Sequence, residues 1–120
     1  MGFQIKAVQA LDLWRGAIVE SVRRDGPDLS ARQMALVLTV YLTPPPHTVR
    51  GLAQTLNISK PAITRALDRL SELGLVKRKT DDNDRRSVLV QRTVKGSVFL
   101  REFGDLIVAA AQTAGDEPQA

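Results

Sequence analysis

The sequence predicts a mainly α-helical fold with a small β-hairpin: about five helices arranged around a helix-turn-helix, followed by a two-stranded wing. Two observations carry this reading. Apolar residues recur at spacings of three and four along most of the chain, change to alternation after Gly74, and return to helical spacing after Thr93. Between Asn57 and Arg92 a turn, a helix with one basic polar face and a charge-tipped hairpin follow one another without a linker.

The first helix is expected from about Gln4 to Arg24, where Val8, Leu11, Trp14, Ile18 and Val22 form one apolar stripe. Asp25-Gly26-Pro27-Asp28 stops it. Ser30 then caps a second helix, with Gln33 placed as its capping-box partner. Met34, Leu36, Val37, Leu38, Val40, Tyr41 and Leu42 leave that helix almost no polar face, so it belongs in the centre or at a subunit contact. Pro44-Pro45-Pro46 holds the next stretch extended, and His47 is expected exposed in this loop.

Thr48 caps a third helix with Val49, Leu52, Ala53 and Leu56 buried. Asn57-Ile58-Ser59 is the turn, and Ser59 caps the fourth helix. Pro61 suits its first turn, because the missing N–H would have no intrahelical partner there. Gly74 ends it in a left-handed conformation. Ile63, Ala66, Leu67, Leu70 and Leu73 face the core, whereas Lys60, Pro61, Thr64, Arg65 and Asp68 share another face toward the N-terminal half. That half of a helix-turn-helix is the part that meets base edges; a solvated amphipathic helix has the same pattern.

Val76 in one strand and Val88 and Val90 in the other alternate with polar neighbours, as a half-buried ribbon requires. The tip, Asp81 to Arg86, is charged except at Asn83. Lys77, Arg78 and Lys79 enter it and Arg85 and Arg86 leave it, which suits phosphates and a narrow minor groove as well as plain solubility. Ile63, Leu67, Leu70, Val76, Val88 and Phe99 are expected to be buried together. Thr93 caps a last helix through about Ala111, with Val94, Val98, Phe99, Phe103, Leu106, Ile107 and Ala110 as its apolar positions.

Composition narrows the function. The chain has 120 residues, 43% of them hydrophobic and 25% charged, the profile of one ordinary globular domain. With no cysteine, thiol chemistry and disulfides are excluded, and the single histidine leaves no histidine cluster. There is no glycine-rich phosphate loop or Ser/His/Asp set, so neither an enzyme nor a cofactor is expected. The aspartates of the tip lack the EF-hand spacing, and no metal site is expected there. No apolar run approaches the roughly 18 residues that span a bilayer, and Met1 to Lys6 does not read as a secretory signal, so the cytoplasm is the expected compartment. Residues 48–100 hold eleven basic and five acidic side chains, a local charge of +6 against −2 elsewhere. Phosphate binding requires such a concentration of positive charge.

The stretch Leu52-Ala53 to Asn57-Ile58-Ser59 and Ile63 to Leu70 resembles the helix-turn-helix of the MarR family of bacterial transcriptional regulators. Gly74-Leu75-Val76-Lys77-Arg78 is similar to the way that family's chain leads into the wing. Asp84-Arg85-Arg86 through Val90, followed by Thr93-Val94-Lys95-Gly96, resembles its wing signature and the start of the next helix. The resemblance implies a regulator, repressor or activator, that binds double-stranded DNA as a homodimer on a pseudo-palindrome. Helix 60–73 would lie in the major groove and the wing 77–90 at the minor groove. The expected DNA-facing residues are Thr48, Ser59, Lys60, Pro61, Thr64, Arg65, Asp68, Arg69, Lys77, Arg78, Lys79, Asp84, Arg85 and Arg86. It also implies that Asp84 orients Arg86 toward the minor groove, alongside the simpler reading in which the two only stiffen the hairpin.

Residues 1–114 are read as one such domain, with 48–92 as helix-turn-helix and wing, 4–24 and 93–112 as dimerisation helices, and 115–120 as a disordered tail. The resemblance implies a longer helical region than the one after Thr93, so the dimer interface should be smaller or differently built. Arg92 stands where that family has an apolar residue; its stem is expected to pack while its guanidinium reaches solvent or phosphate. A small-molecule effector stays open. The competing reading is a winged-helix module that binds only another regulator, but retention of Lys60, Arg65, Arg69, Arg85 and Arg86 favours DNA.

Overall fold

The computed structural model describes residues 4–114. Its elements run α1 (Ala7–Arg23), α2 (Ala31–Leu42), β1 (His47–Thr48), α3 (Val49–Leu56), α4 (Lys60–Glu72), β2 (Val76–Thr80), β3 (Val88–Arg92) and α5 (Val94–Ala114). The five helices and the β2–β3 wing match the sequence reading. The wing gains a third strand, however, because β1 pairs antiparallel with β3 and the sheet order is β1-β3-β2. His47 is therefore not an exposed loop residue. It is half-buried, opposite Val90, and its Nε2 lies 3.1 Å from the Thr43 carbonyl.

The chain forms two compact units. Residues 29–100 make up the larger one. Leu36, Val37 and Val40 of α2, Leu52 and Ala53 of α3, and Ile63, Ala66, Leu67 and Leu70 of α4 meet there with Leu75, Val76 and Val90. No polar or charged residue is buried among the described residues, so this core is held by apolar contact alone. Of the six residues expected together, Ile63, Leu67, Leu70 and Val76 are buried, Phe99 packs at the edge of the core, and Val88 is half-buried outside it. Val94, 83% exposed, and Val98 face solvent rather than the core.

The helix ends are set by local hydrogen bonding. Ser30 Oγ accepts from the Gln33 amide and Gln33 Oε1 accepts from the Ser30 amide, the reciprocal box that starts α2. Asn57 ends α3 in the left-handed region, which its short polar side chain tolerates, and the Ile58 amide returns to the Ala53 carbonyl. Gly74 takes a φ of 75° after α4, and the Leu75 amide donates to the Leu70 carbonyl. At the other end, α1 begins at Ala7 rather than Gln4. The Lys6 amide donates to Gln9 Oε1, which holds Lys6 in extended backbone.

One hydroxyl joins α2 to both ends of the wing. Tyr41 Oη donates to the Leu75 carbonyl at 2.5 Å and accepts from the Thr93 amide at 2.8 Å. Thr93 Oγ1 in turn donates to the Gly74 carbonyl and accepts from the Gly96 amide, capping α5. A Cβ on Gly96 would run into the Tyr41 hydroxyl and the Leu75 carbonyl.

The second unit comprises residues 1–28 and 101–120. Ala17 of α1 and Phe103, Leu106 and Ala114 of α5 are buried in it. Trp14 meets Phe103 edge-on with ring centroids 6.3 Å apart, and Gly16 lies against Ala110. Most of the α1 stripe stays open: Leu11 is 68% exposed, and Val8, Trp14, Ile18 and Val22 are exposed too. The tail at 115–120 lies outside the described residues.

Tyr41→Phe should lower unfolding free energy by about 1–3 kcal/mol, the cost of leaving partly buried backbone groups unpaired. Gly96→Ala should cost at least as much through overlap with that hydroxyl. Urea titrations followed by circular dichroism check both; equal stability of wild type and Tyr41→Phe would demote the node.

Candidate nucleic-acid interface

The fourth helix and the wing present one polar surface from the larger unit. Ser59 Oγ accepts from the Ala62 amide at 3.3 Å and starts α4, with Pro61 in its first turn. Ala62, Ile63, Ala66, Leu67 and Leu70 anchor the buried face. The same helical period turns Lys60, Pro61, Thr64, Arg65, Asp68 and Arg69 outward, and all six are exposed. Arg65 makes no ion pair or side-chain hydrogen bond among the described residues, while Arg69 lies 3.6 Å from Glu72.

Thr48 sits at the junction of β1 and α3. Its Oγ1 accepts from the Gly51 amide at 3.0 Å and caps α3. Arg50 projects from that same first turn and is exposed, a cation absent from the set expected from sequence. Its position two residues after the capping threonine was the available signal.

Along β2 the side chains do not alternate simply: Val76 is buried and Lys77 to Thr80 are all exposed. Arg78 stands opposite Val90 and reaches back to α4, its Nη2 2.8 Å from Asp68 Oδ1. Asp68 and Arg78, both expected at DNA, are thus engaged with each other. Lys79 lies 3.9 Å from Asp82, and Lys77 makes no ion pair among the described residues. In β3, Leu89 is half-buried despite its place between Val88 and Val90, and it lines an open hollow together with Pro45, Pro46 and His47.

The tip is built on two successive turns. The Asp84 amide donates to the Asp81 carbonyl and the Ser87 amide to the Asp84 carbonyl, while the Asp81 amide closes the loop on Ser87. Asp84 Oδ1 accepts from the Arg86 backbone amide at 3.1 Å, and Oδ2 accepts from Ser87 Oγ. Arg86 Nε is 3.8 Å away and its side chain is 97% exposed. Asp84 therefore holds the backbone from which Arg86 projects, more firmly than it holds the guanidinium. Arg85 is exposed beside it.

Arg92 has partners that the sequence reading did not name. The residue is exposed, yet its guanidinium is bonded to the end of α2: Nε donates to the Val40 carbonyl at 2.8 Å and Nη2 to the Thr43 carbonyl at 3.0 Å, with Tyr41 beneath it. It supplies donors and positive charge to the C-terminus of α2, where carbonyls lack intrahelical partners. No group of acidic or histidine side chains suited to a metal occurs among the described residues, and no described helix is long and apolar enough to cross a membrane.

The profile of the MarR family matches residues 28–87, the second helix through the wing tip. The chain belongs to the MarR family. Family members are non-enzymatic, DNA-binding transcriptional regulators. The fold is similar to that of S. aureus MepR in its complex with DNA, at a TM-score of 0.73 and 19% identity over 87% of this chain and 82% of that one. It is also similar to the transcriptional regulator BldR from Sulfolobus solfataricus, with a TM-score of 0.63 and 29% identity over 92% and 81% of the two chains. The regulator Tm0710 from Thermotoga maritima gives 0.63 and 18% over 86% and 67%.

Arg92→Met keeps an apolar stem but deletes both donors. It should destabilise the fold by about 1–2 kcal/mol, the worth of charge-assisted hydrogen bonds at a helix end. Thermal unfolding of the two proteins side by side measures this, and an unchanged midpoint would show that the cap is dispensable.

Proposed function

We propose that this MarR-family regulator reads a pseudo-palindromic operator as a homodimer, with α4 in the major groove and the wing at the minor groove of each half-site. The observation that carries the reading is the unpartnered, exposed Arg65 beside Lys60 and Thr64 on the N-terminal half of a capped helix. That half of a recognition helix approaches base edges, and arginine pairs bidentately with guanine. Thr48 and Ser59 at helix starts, with Pro61 and Arg69 on α4 and Lys77 and Lys79 on β2, are assigned to the backbone on either side. Arg85 and Arg86 are assigned to the minor groove, where Asp84 fixes the backbone that carries them. MepR, which shares this fold, has been crystallised as a complex with DNA, and that supports the same use of the fold here.

The exposed α1 side chains Val8, Leu11, Trp14 and Val22 support dimerisation through the smaller unit. Phe103 is already buried against Trp14 within one chain, so it contributes to that surface only indirectly.

Selection from random duplex DNA by purified protein should yield an inverted repeat. Binding should fall with salt at a log–log slope of about −0.9 per phosphate neutralised. Arg65→Ala should cost about 1–3 kcal/mol on the selected duplex and much less on a scrambled one. Equal loss on both would reduce Arg65 to a backbone contact.

Sedimentation of the free protein at tens of micromolar should give twice the chain mass, and Leu11→Glu should shift it toward monomer. A monomer at every concentration would reject the preassembled dimer.

A further inference from the structure

Both carboxylates of α4 are occupied by a cation other than Arg65. Glu72 faces Arg69, and Asp68 holds Arg78 from the wing at 2.8 Å. Arg65 stands three residues before Asp68, the spacing at which arginine and aspartate pair on one helix face. Yet the two are not paired, and Arg65 is left free. Asp68–Arg78 is also the one ion pair among the described residues that joins two separate elements; the others lie within three positions in sequence. The Arg78 side chain is only 30% exposed, against 59% for Lys79 and 97% for Arg86, so it is poorly placed to meet a phosphate.

We infer that Arg78 is a specificity-determining positioning residue: it holds Asp68 toward the wing and so keeps Arg65 available to read a base. Without Arg78 the carboxylate turns to its nearest helical neighbour. The Asp68–Arg65 pair that forms withdraws the guanidinium from the groove and leaves a neutral pair where a base-reading charge stood. Arg78 thus acts on the DNA through two residues of α4 while touching none of it. The pairing also removes an uncompensated negative charge from a surface that approaches phosphates.

The inference rests on α4 reading bases, and the test separates the two. Affinities for the selected duplex and for a scrambled duplex are measured at several salt concentrations, with circular dichroism confirming the fold of each variant. Arg78→Ala should lower the ratio of the two affinities by about five- to a hundredfold, the discrimination carried by one bidentate base contact. Adding Asp68→Asn to Arg78→Ala should restore that ratio to near the wild-type value, because no carboxylate remains to capture Arg65. Arg78→Lys, which keeps a charge beside Asp68, should retain most of it, and Asp68→Asn alone should leave it unchanged. A direct phosphate contact by Arg78 gives a different pattern: both duplexes weaken equally, the slope falls by about 0.9, and Asp68→Asn rescues nothing. That result overturns the inference, as does a lost ratio in Asp68→Asn alone, which would make Asp68 itself a base reader. Wild-type protein without any duplex preference would overturn the reading of α4 and this inference together.

Discussion

A tyrosine hydroxyl holds α4 and the wing in register. Where α4 ends, the chain must reverse into β2, and the carbonyls of the connecting residues need donors that the helix cannot provide. Tyr41 of α2 supplies one to Leu75, and Thr93 supplies one to Gly74. Because the Thr93 amide donates back to Tyr41, the exit of α4 and the exit of the wing are tied at one atom. The apolar core positions α4 against α2, but an apolar contact is non-directional and tolerates small rotations. Directional bonds at Tyr41 fix where the wing departs. Gly96 is required for the same reason, since any side chain there would displace the hydroxyl.

The charges of this surface divide by what they are bonded to. Arg92 is spent on the C-terminus of α2, and Arg78 on Asp68. Asp84 is spent on the backbone of the tip. Arg65, Lys77 and Arg85 keep their full donor capacity toward solvent, and Arg86, 3.8 Å from Asp84 and 97% exposed, keeps most of its own. A count of basic residues therefore overstates what can meet phosphate, and a count of acids overstates repulsion, because the paired groups cancel locally. The net +6 over residues 48–100 is a measure of the field at a distance, while the free side chains determine the contacts.

The smaller unit follows a different rule. Small residues, Gly16 and Ala110, let α1 and α5 approach, and Trp14 covers Phe103, but one helix pair cannot enclose both of its apolar faces. The α1 side chains that recur at helical spacing therefore remain open. A sequence stripe of this kind marks surface that must be covered, without specifying whether the same chain covers it.

Residues alone determined the elements whose signals are local. Ser30 with Gln33, Thr48, Ser59 with Pro61, Asn57, Gly74 and Thr93 each act within a few positions, and they mark helix starts and stops wherever the chain goes. The change of apolar period at Gly74 likewise marked the wing, and the family resemblance covers the same stretch. What tertiary structure decided were the partners of long, flexible or polar side chains. His47 became a strand residue because β3 offered its free edge, and Arg92 became a helix cap because α2 ended beside it. Arg78 found Asp68 ten positions away, and Val94 and Val98 met solvent despite their apolar character. Capping and periodicity are written into neighbouring residues, whereas an ion pair or a cap across 49 positions exists only once the core has brought its two ends together.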